Sequence, residues 1–217
     1  GSGPYTEQIT LPATIGSNAV NTVTFNGNGR KLRFSSTDAN NRHVIKIDGA
    51  DYITINDLVI DTAVAVPTYH WGIHLINGAD NNTISLCTIN TSTSNTTAGN
   101  FQPIVMSNSV TSTTTAGITG SNNTFIDNTL KGGYYGITLC GNAVGAEGLN
   151  NVISNTAIRD FYAYGVYMLY QKSASVSSCD FSRPTRTTTT TVASVLLTTG
   201  AIGNTIENCR IHNLFDA

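Results

Sequence analysis

The sequence is poor in charge. Asp, Glu, Lys and Arg make up 11% of its 217 residues, against roughly 25% in an ordinary soluble domain. Eleven Lys and Arg, spread thinly and offset by thirteen Asp and Glu, supply no concentrated face for phosphates, which excludes nucleic acid as a partner. Long apolar runs are also missing. Ala63-Val64-Ala65-Val66 is among the longest, far short of the roughly 18 residues a spanning helix needs, so no membrane insertion is expected. Cysteine is scarce: Cys87, Cys140, Cys179 and Cys209 contain no Cys-x-x-Cys pair and have no His at zinc-ligand spacing. Four cysteines in a chain of this length are not a disulfide scaffold. Asp48-x-x-Asp51 is too sparse for a calcium loop, so neither a metal nor a cofactor is expected.

In place of charge the chain carries 33 Thr, 24 Asn and 18 Ser, so 75 of 217 residues are small and polar. The net charge is -2. Hydrophobic residues reach 40% and recur in short β-branched runs, which argues against disorder and for an all-β chain. The length suits one domain.

An internal repeat organises the chain. Ile47-Asp48-Gly49-Ala50-Asp51-Tyr52-Ile53-Thr54-Ile55 matches Ile76-Asn77-Gly78-Ala79-Asp80-Asn81-Asn82-Thr83-Ile84 almost residue for residue. Extended along the chain, the pattern places a first strand near Val44, Ile73, Ile104, Ile137, Val166 and Val195, three of them preceded by Gly (Gly72, Gly136, Gly165). A second strand carries two apolar columns: Ile55, Ile84, Phe125, Ile153, Val176, Ile206 and Ile60, Ile89, Leu130, Ile158, Phe181, Ile211. Between them runs Asp57, Leu86, Asp127, Asn155, Ser178, Asn208. Nothing repeats with a 3.6-residue period, so helices are excluded as the main element. A unit of about 30 residues cannot bury its own apolar side, but stacked units can, which is the logic of a solenoid.

These residues resemble the right-handed parallel β-helix of the pectate-lyase-like superfamily. The resemblance covers roughly residues 20 to 217 and is most specific in the Asn-Asn-Thr-Ile form of the second strand. It implies an all-β right-handed parallel β-helix of six to seven coils, with N-terminal strands and a first coil over 1–43 and regular coils over 44–217. It also implies that Asp57, Asp127, Asn155 and Asn208 form a structural turn ladder, since Asn and Asp tolerate left-handed φ. The stretch from Tyr5 to Asn28 resembles the start of β-helix domains in large secreted proteins of the Bacteroidetes type.

The chain opens Gly1-Ser2-Gly3 without Met, as expected of a trimmed end, and Ile211-His212-Asn213-Leu214-Phe215-Asp216-Ala217 stops where another coil should open. Solenoid ends need caps, and none is legible. The expectation is a segment of a longer secreted or cell-surface protein, partnered by flanking domains of the same chain. Three Ser/Thr/Gly-rich excursions, residues 91–100, 107–120 and 183–191, read as solvated surface loops.

Aromatics gather on the first strand. Trp71, Tyr135 and Tyr164 share one phase, and Tyr69, His70, Phe101, Tyr134, Tyr162, Tyr167 and Tyr170 sit nearby. Flat rings on an exposed face suit the apolar face of a sugar, and hydroxyls suit its rim. Tyr69, His70, Trp71, His74, Tyr135, Tyr164 and Tyr167 are therefore the candidate carbohydrate-binding residues, with Trp71 expected on an exposed strip whose rings a glycan stacks on in succession. The competing reading is an aromatic stack that seals a turn or packs under a loop.

No catalytic residue is assigned. The outward column His74, Val105, Thr138, Tyr167, Leu196 holds no carboxylate, Lys or Arg, whereas glycoside hydrolysis normally requires two carboxyl groups flanking the bond. Glu147 and Asp160 lie in connections without a partner of comparable phase; His70 with His74 could form a base and its partner. Functionally the sequence reads as a non-catalytic spacer or adhesive module whose partner is a polysaccharide or cell-surface glycan. The alternative is a polysaccharide lyase or glycoside hydrolase. A more remote one is ice binding by the Thr54, Thr83, Thr124, Thr205 column, which Val152 and Ser175 interrupt.

Overall fold

In the computed structural model, which describes residues 3–62, 67–188 and 190–215, parallel sheets stack as a β-solenoid of about six turns, with no helix among the described residues. Thr189 of the third excursion and residues 216–217 of the closing segment lie outside that range.

The first sheet orders Ile9–Pro12, His43–Asp48, His70–Ile76, Phe101–Met106, Tyr135–Cys140, Tyr164–Leu169 and Ala193–Leu197 side by side. Ile9, Ile45, Ile73, Ile104, Ile137, Val166 and Val195 pair in register through all seven strands. The expected first member was Val44, one residue too early. Both residues are buried, but Ile45 is the one opposite Ile73, and Val44 takes the phase of Gly72. That phase explains the glycines. A Cβ on Gly72 would lie 2.4 Å from Ile89 Cγ2, and one on Gly165 2.6 Å from Phe181 Cδ1. The strand bends here toward the core, and Gly makes room for the large residue of the second sheet behind it.

In the second sheet Val23–Arg33 and Ile53–Asp61 are continuous, and each later coil splits into two three-residue strands such as Thr83–Ser85 and Thr88–Asn90. Both apolar columns pair as their spacing implied, and Phe25 and Leu32 extend them by one coil. At the split the backbone turns left-handed: φ is 51° at Asp57, 54° at Leu86, 58° at Asp127, 44° at Asn155, 54° at Ser178 and 53° at Asn208. Asn155 Nδ2 donates to Asp127 Oδ1 at 2.5 Å, one coil below.

Leu86 is the misfit of that series. It is 55% exposed, so it holds a left-handed φ without the local hydrogen bonds of an Asn or Asp and without burial in return. Leu86→Asn should raise stability by about 1 kcal/mol, the order of the left-handed penalty. Chemical denaturation checks this, and an unchanged or lower midpoint would show that the Leu86 side chain contributes more than its backbone costs.

A second polar column, the Asn that precedes Thr in the Asn-Asn-Thr-Ile form of the second strand, lies inside the coil. Asn82, Asn123 and Asn151 are fully buried. The Asn82 N–H donates to Asn123 Oδ1 and the Asn123 N–H to Asn151 Oδ1, each at 2.9 Å, while Asn82 Oδ1 accepts from the Ile53 N–H. Corner amides turned away from the sheet ladder need partners, and a side chain with both donor and acceptor supplies them coil after coil. The four cysteines are free thiols. Burial pushes Cys87 and Cys179 up to about 11 and Cys140 up to about 12, which leaves them unreactive at neutral pH.

Candidate functional site

Two columns face outward on the first sheet. One runs His43, Trp71, Gln102, then Tyr135, Tyr164, Ala193; the other runs Lys46, His74, Val105, Thr138, Tyr167, Leu196. The shared phase of Trp71, Tyr135 and Tyr164 is therefore real, but their surroundings differ.

Trp71, His70 and His74 do not reach solvent. Their exposures are 0%, 0% and 1%, which corrects the expectation of an exposed Trp strip. The cause is the excursions, which are not solvated loops along their whole length. Gly99 turns its carbonyl into the sheet, where Trp71 Nε1 donates to it at 2.7 Å and Arg42 Nη1 at 2.6 Å. Ser107 accepts from His74 Nε2 at 2.9 Å, and Thr119 Oγ1 donates to the Cys140 carbonyl at 2.6 Å. Residues 91–100 and 107–120 thus cover the outer face of the early coils, and neither segment carries a charged residue. The third excursion is tied down from within: Arg186 donates to the carbonyls of Gly133, Asp160 and Asn95.

Tyr69 belongs to this covered end, with the Arg42 guanidinium 4.2 Å above its ring. His70 and His74 do not form an acid–base pair, because His70 Nδ1 donates to the Phe34 carbonyl and His74 to Ser107. Burial, the largest influence on each, holds both imidazoles near 4 and hence neutral.

Tyr135, Tyr164 and Tyr167 are half-exposed. Tyr135 and Tyr164 stack at 5.6 Å with ring planes 13° apart, and Tyr167 lies 5.4 Å from Tyr135 and 6.4 Å from Tyr164. Tyr134, 4.8 Å from Tyr135, and Tyr162, 5.2 Å from Tyr134, complete a cluster of five rings. The sequence placed those two only nearby, since they lie outside the strand phase and reach the cluster through the bend before each strand. Burial raises the phenols of Tyr134 and Tyr135 above the ordinary range, so both keep their protons. The geometry also alters the imagined contact. Coils about 4.8 Å apart bring rings of one phase so close that they stack on one another. A sugar cannot lie flat on each in turn.

Asp80 and Glu147 both line a hollow of about 120 Å³ beside Gly120, Ser121 and Gly148. Burial raises Asp80, while the Gly145 N–H lowers Glu147. A cavity of about 510 Å³, lined by Ile9, Leu11, Phe25, Leu32, Ile45 and Ile55 among others, lies at the N-terminal end of the core and includes none of the five clustered tyrosines. No group of three or more metal-ligating side chains exists among the described residues. No protein-family model, no curated protein and no solved structure matches the chain.

Proposed function

We propose that the protein is a non-catalytic parallel β-helix module of the pectate-lyase-like kind, belonging to a secreted or cell-surface protein, and that it contacts a glycan through the tyrosine cluster. The observation that carries this reading is the contrast along one face. The early coils are sealed by two uncharged loops, whereas Tyr135, Tyr164 and Tyr167 stay half-exposed on the same columns. Five rings that each carry a hydroxyl give a patch that is apolar in its body and hydrogen-bonding at its rim, the combination a sugar requires.

Tyr164→Ala is expected to weaken glycan binding at least several-fold, on the order of the 1–3 kcal/mol that one large apolar side chain contributes. The β-type circular dichroism should persist. Glycan-array binding of wild type and variant checks it, and equal binding by both would remove the cluster from the site.

The hollow shared by Asp80 and Glu147 favours a hydrolytic second reading, because two carboxyls driven in opposite directions can divide acid and base roles. Reducing-sugar release that Asp80→Asn abolishes would replace the non-catalytic reading.

A further inference from the structure

We propose that the tyrosine cluster takes one uncharged pyranose ring against the face of Tyr164, in the step above Ala193. The inference rests on the glycan reading and adds the class of sugar and the point of contact.

The step follows from the register. Tyr135 and Tyr164 pair across adjacent coils with their rings stacked, so each turns one face to the other. The next residue of the column is Ala193, paired with Tyr164. A methyl group stands where a third ring of the stack would lie. The face of Tyr164 turned away from Tyr135 therefore borders a step one ring deep, floored by half-buried Ala193, with Leu196 beside it opposite Tyr167. Leu197, 43% exposed, closes the strand. The step is apolar and flat on one side, and a pyranose fills it as the missing member of the stack. Tyr164 and Tyr167 lie at its edge, where their hydroxyls can meet those of the sugar.

The uncharged class follows from the cations. Arg186 lies 4.9 Å from the Tyr162 ring, but its Nε donates to Thr188 Oγ1 and its terminal nitrogens to the carbonyls of Gly133, Asp160 and Asn95. Arg183 donates to the carbonyls of Phe161, Leu214 and Thr188. Both guanidinium groups are committed to oxygens of the chain itself and are only 3% and 1% exposed. A uronate or sulfate arriving at the step would lose hydration and find both of these forks already filled. A neutral sugar loses no charge hydration.

The test compares β-linked neutral hexasaccharides (of glucose, mannose and N-acetylglucosamine) with a galacturonate hexamer, titrated calorimetrically into wild type, Ala193→Tyr, Ala193→Ser and Tyr164→Leu. Ala193→Tyr extends the stack and fills the step, and Tyr164→Leu keeps apolar bulk without a flat face, so a folding failure in one leaves the other informative. A neutral hexamer should bind, with affinity nearly unchanged between about 50 and about 500 mM NaCl. It should weaken about tenfold or more in Ala193→Tyr and Tyr164→Leu and stay within about twofold in Ala193→Ser. Preference for galacturonate with steep salt dependence would overturn the inference while leaving a glycan site standing. So would neutral binding that neither Ala193→Tyr nor Tyr164→Leu disturbs. Binding of no saccharide would overturn both the inference and the glycan reading.

Discussion

Trp71→Ala is expected to cost about 3–5 kcal/mol of unfolding free energy, the range for deleting a large aromatic from a packed interior. The indole is fully buried between the outer face of its strand and residues 91–100, stands edge-on to His74 at 5.1 Å, and donates to the Gly99 carbonyl at 2.7 Å. Removing it opens a cavity and strips that carbonyl of one of its two donors, the other being Arg42. In a chain of this size the midpoint should fall on the order of 10 °C. Amide exchange in 91–100 should quicken more than in the late coils, because stacked units interact mainly with their neighbours. Tyr164→Ala, at the half-exposed end, should cost far less. A Trp71→Ala loss below about 1 kcal/mol would mean that the loop does not depend on the ring it covers.

The second large effect is acid lability between about pH 6.5 and pH 4. Burial holds His43, His70 and His74 near 4, against an ordinary 6.5. Lys46 faces His43 and His74 and lowers them further. Asp48 opposes it for both, and Asp61 opposes burial for His70. The covering loops add no counter-charge. A folded value below the unfolded one means that the unfolded chain binds more protons, so stability is full above pH 6.5 and falls as the pH drops toward 4. Each imidazole can contribute about 3 kcal/mol to that fall, given 1.36 kcal/mol per unit, and three of them exceed what a single surface pair could offset. The measurement is urea unfolding at pH 7.5, 5.5 and 4.5. His74→Gln, which keeps a donor for Ser107 but cannot titrate, should flatten the slope by about one third if the three act alike. A midpoint independent of pH across this window would show that the imidazoles are protonated where they stand.

The fold was legible in the sequence because a solenoid writes its structure once per coil. Ile73, Ile104, Ile137, Val166 and Val195, and the paired columns through Ile84 and Ile89, recur in phase because each must fill the same place against the coil before it. Repetition averages out the ambiguity of any one short strand, and it failed only where the first coil offered Val44 and Ile45 side by side. Asp57, Asp127 and Asn155 were legible for a similar reason, since left-handed φ at a fixed point of the repeat selects the same few side chains.

The site was legible only as a set of residue types. The sequence put Trp71, Tyr135 and Tyr164 in one phase, which the register bears out, yet it could not separate the buried ring from the half-exposed ones. That separation depends on residues 91–100 and 107–120, whose Thr, Ser, Gly and Asn carry no periodic signal and whose folded path is fixed by contacts such as Gly99 with Arg42 and Ser107 with His74. Phase along a coil is a property of the chain, and the sequence determines it. What lies on top of a coil depends on long-range contacts between loop backbone and side chains some 30 to 60 residues away, and only the tertiary structure decides it.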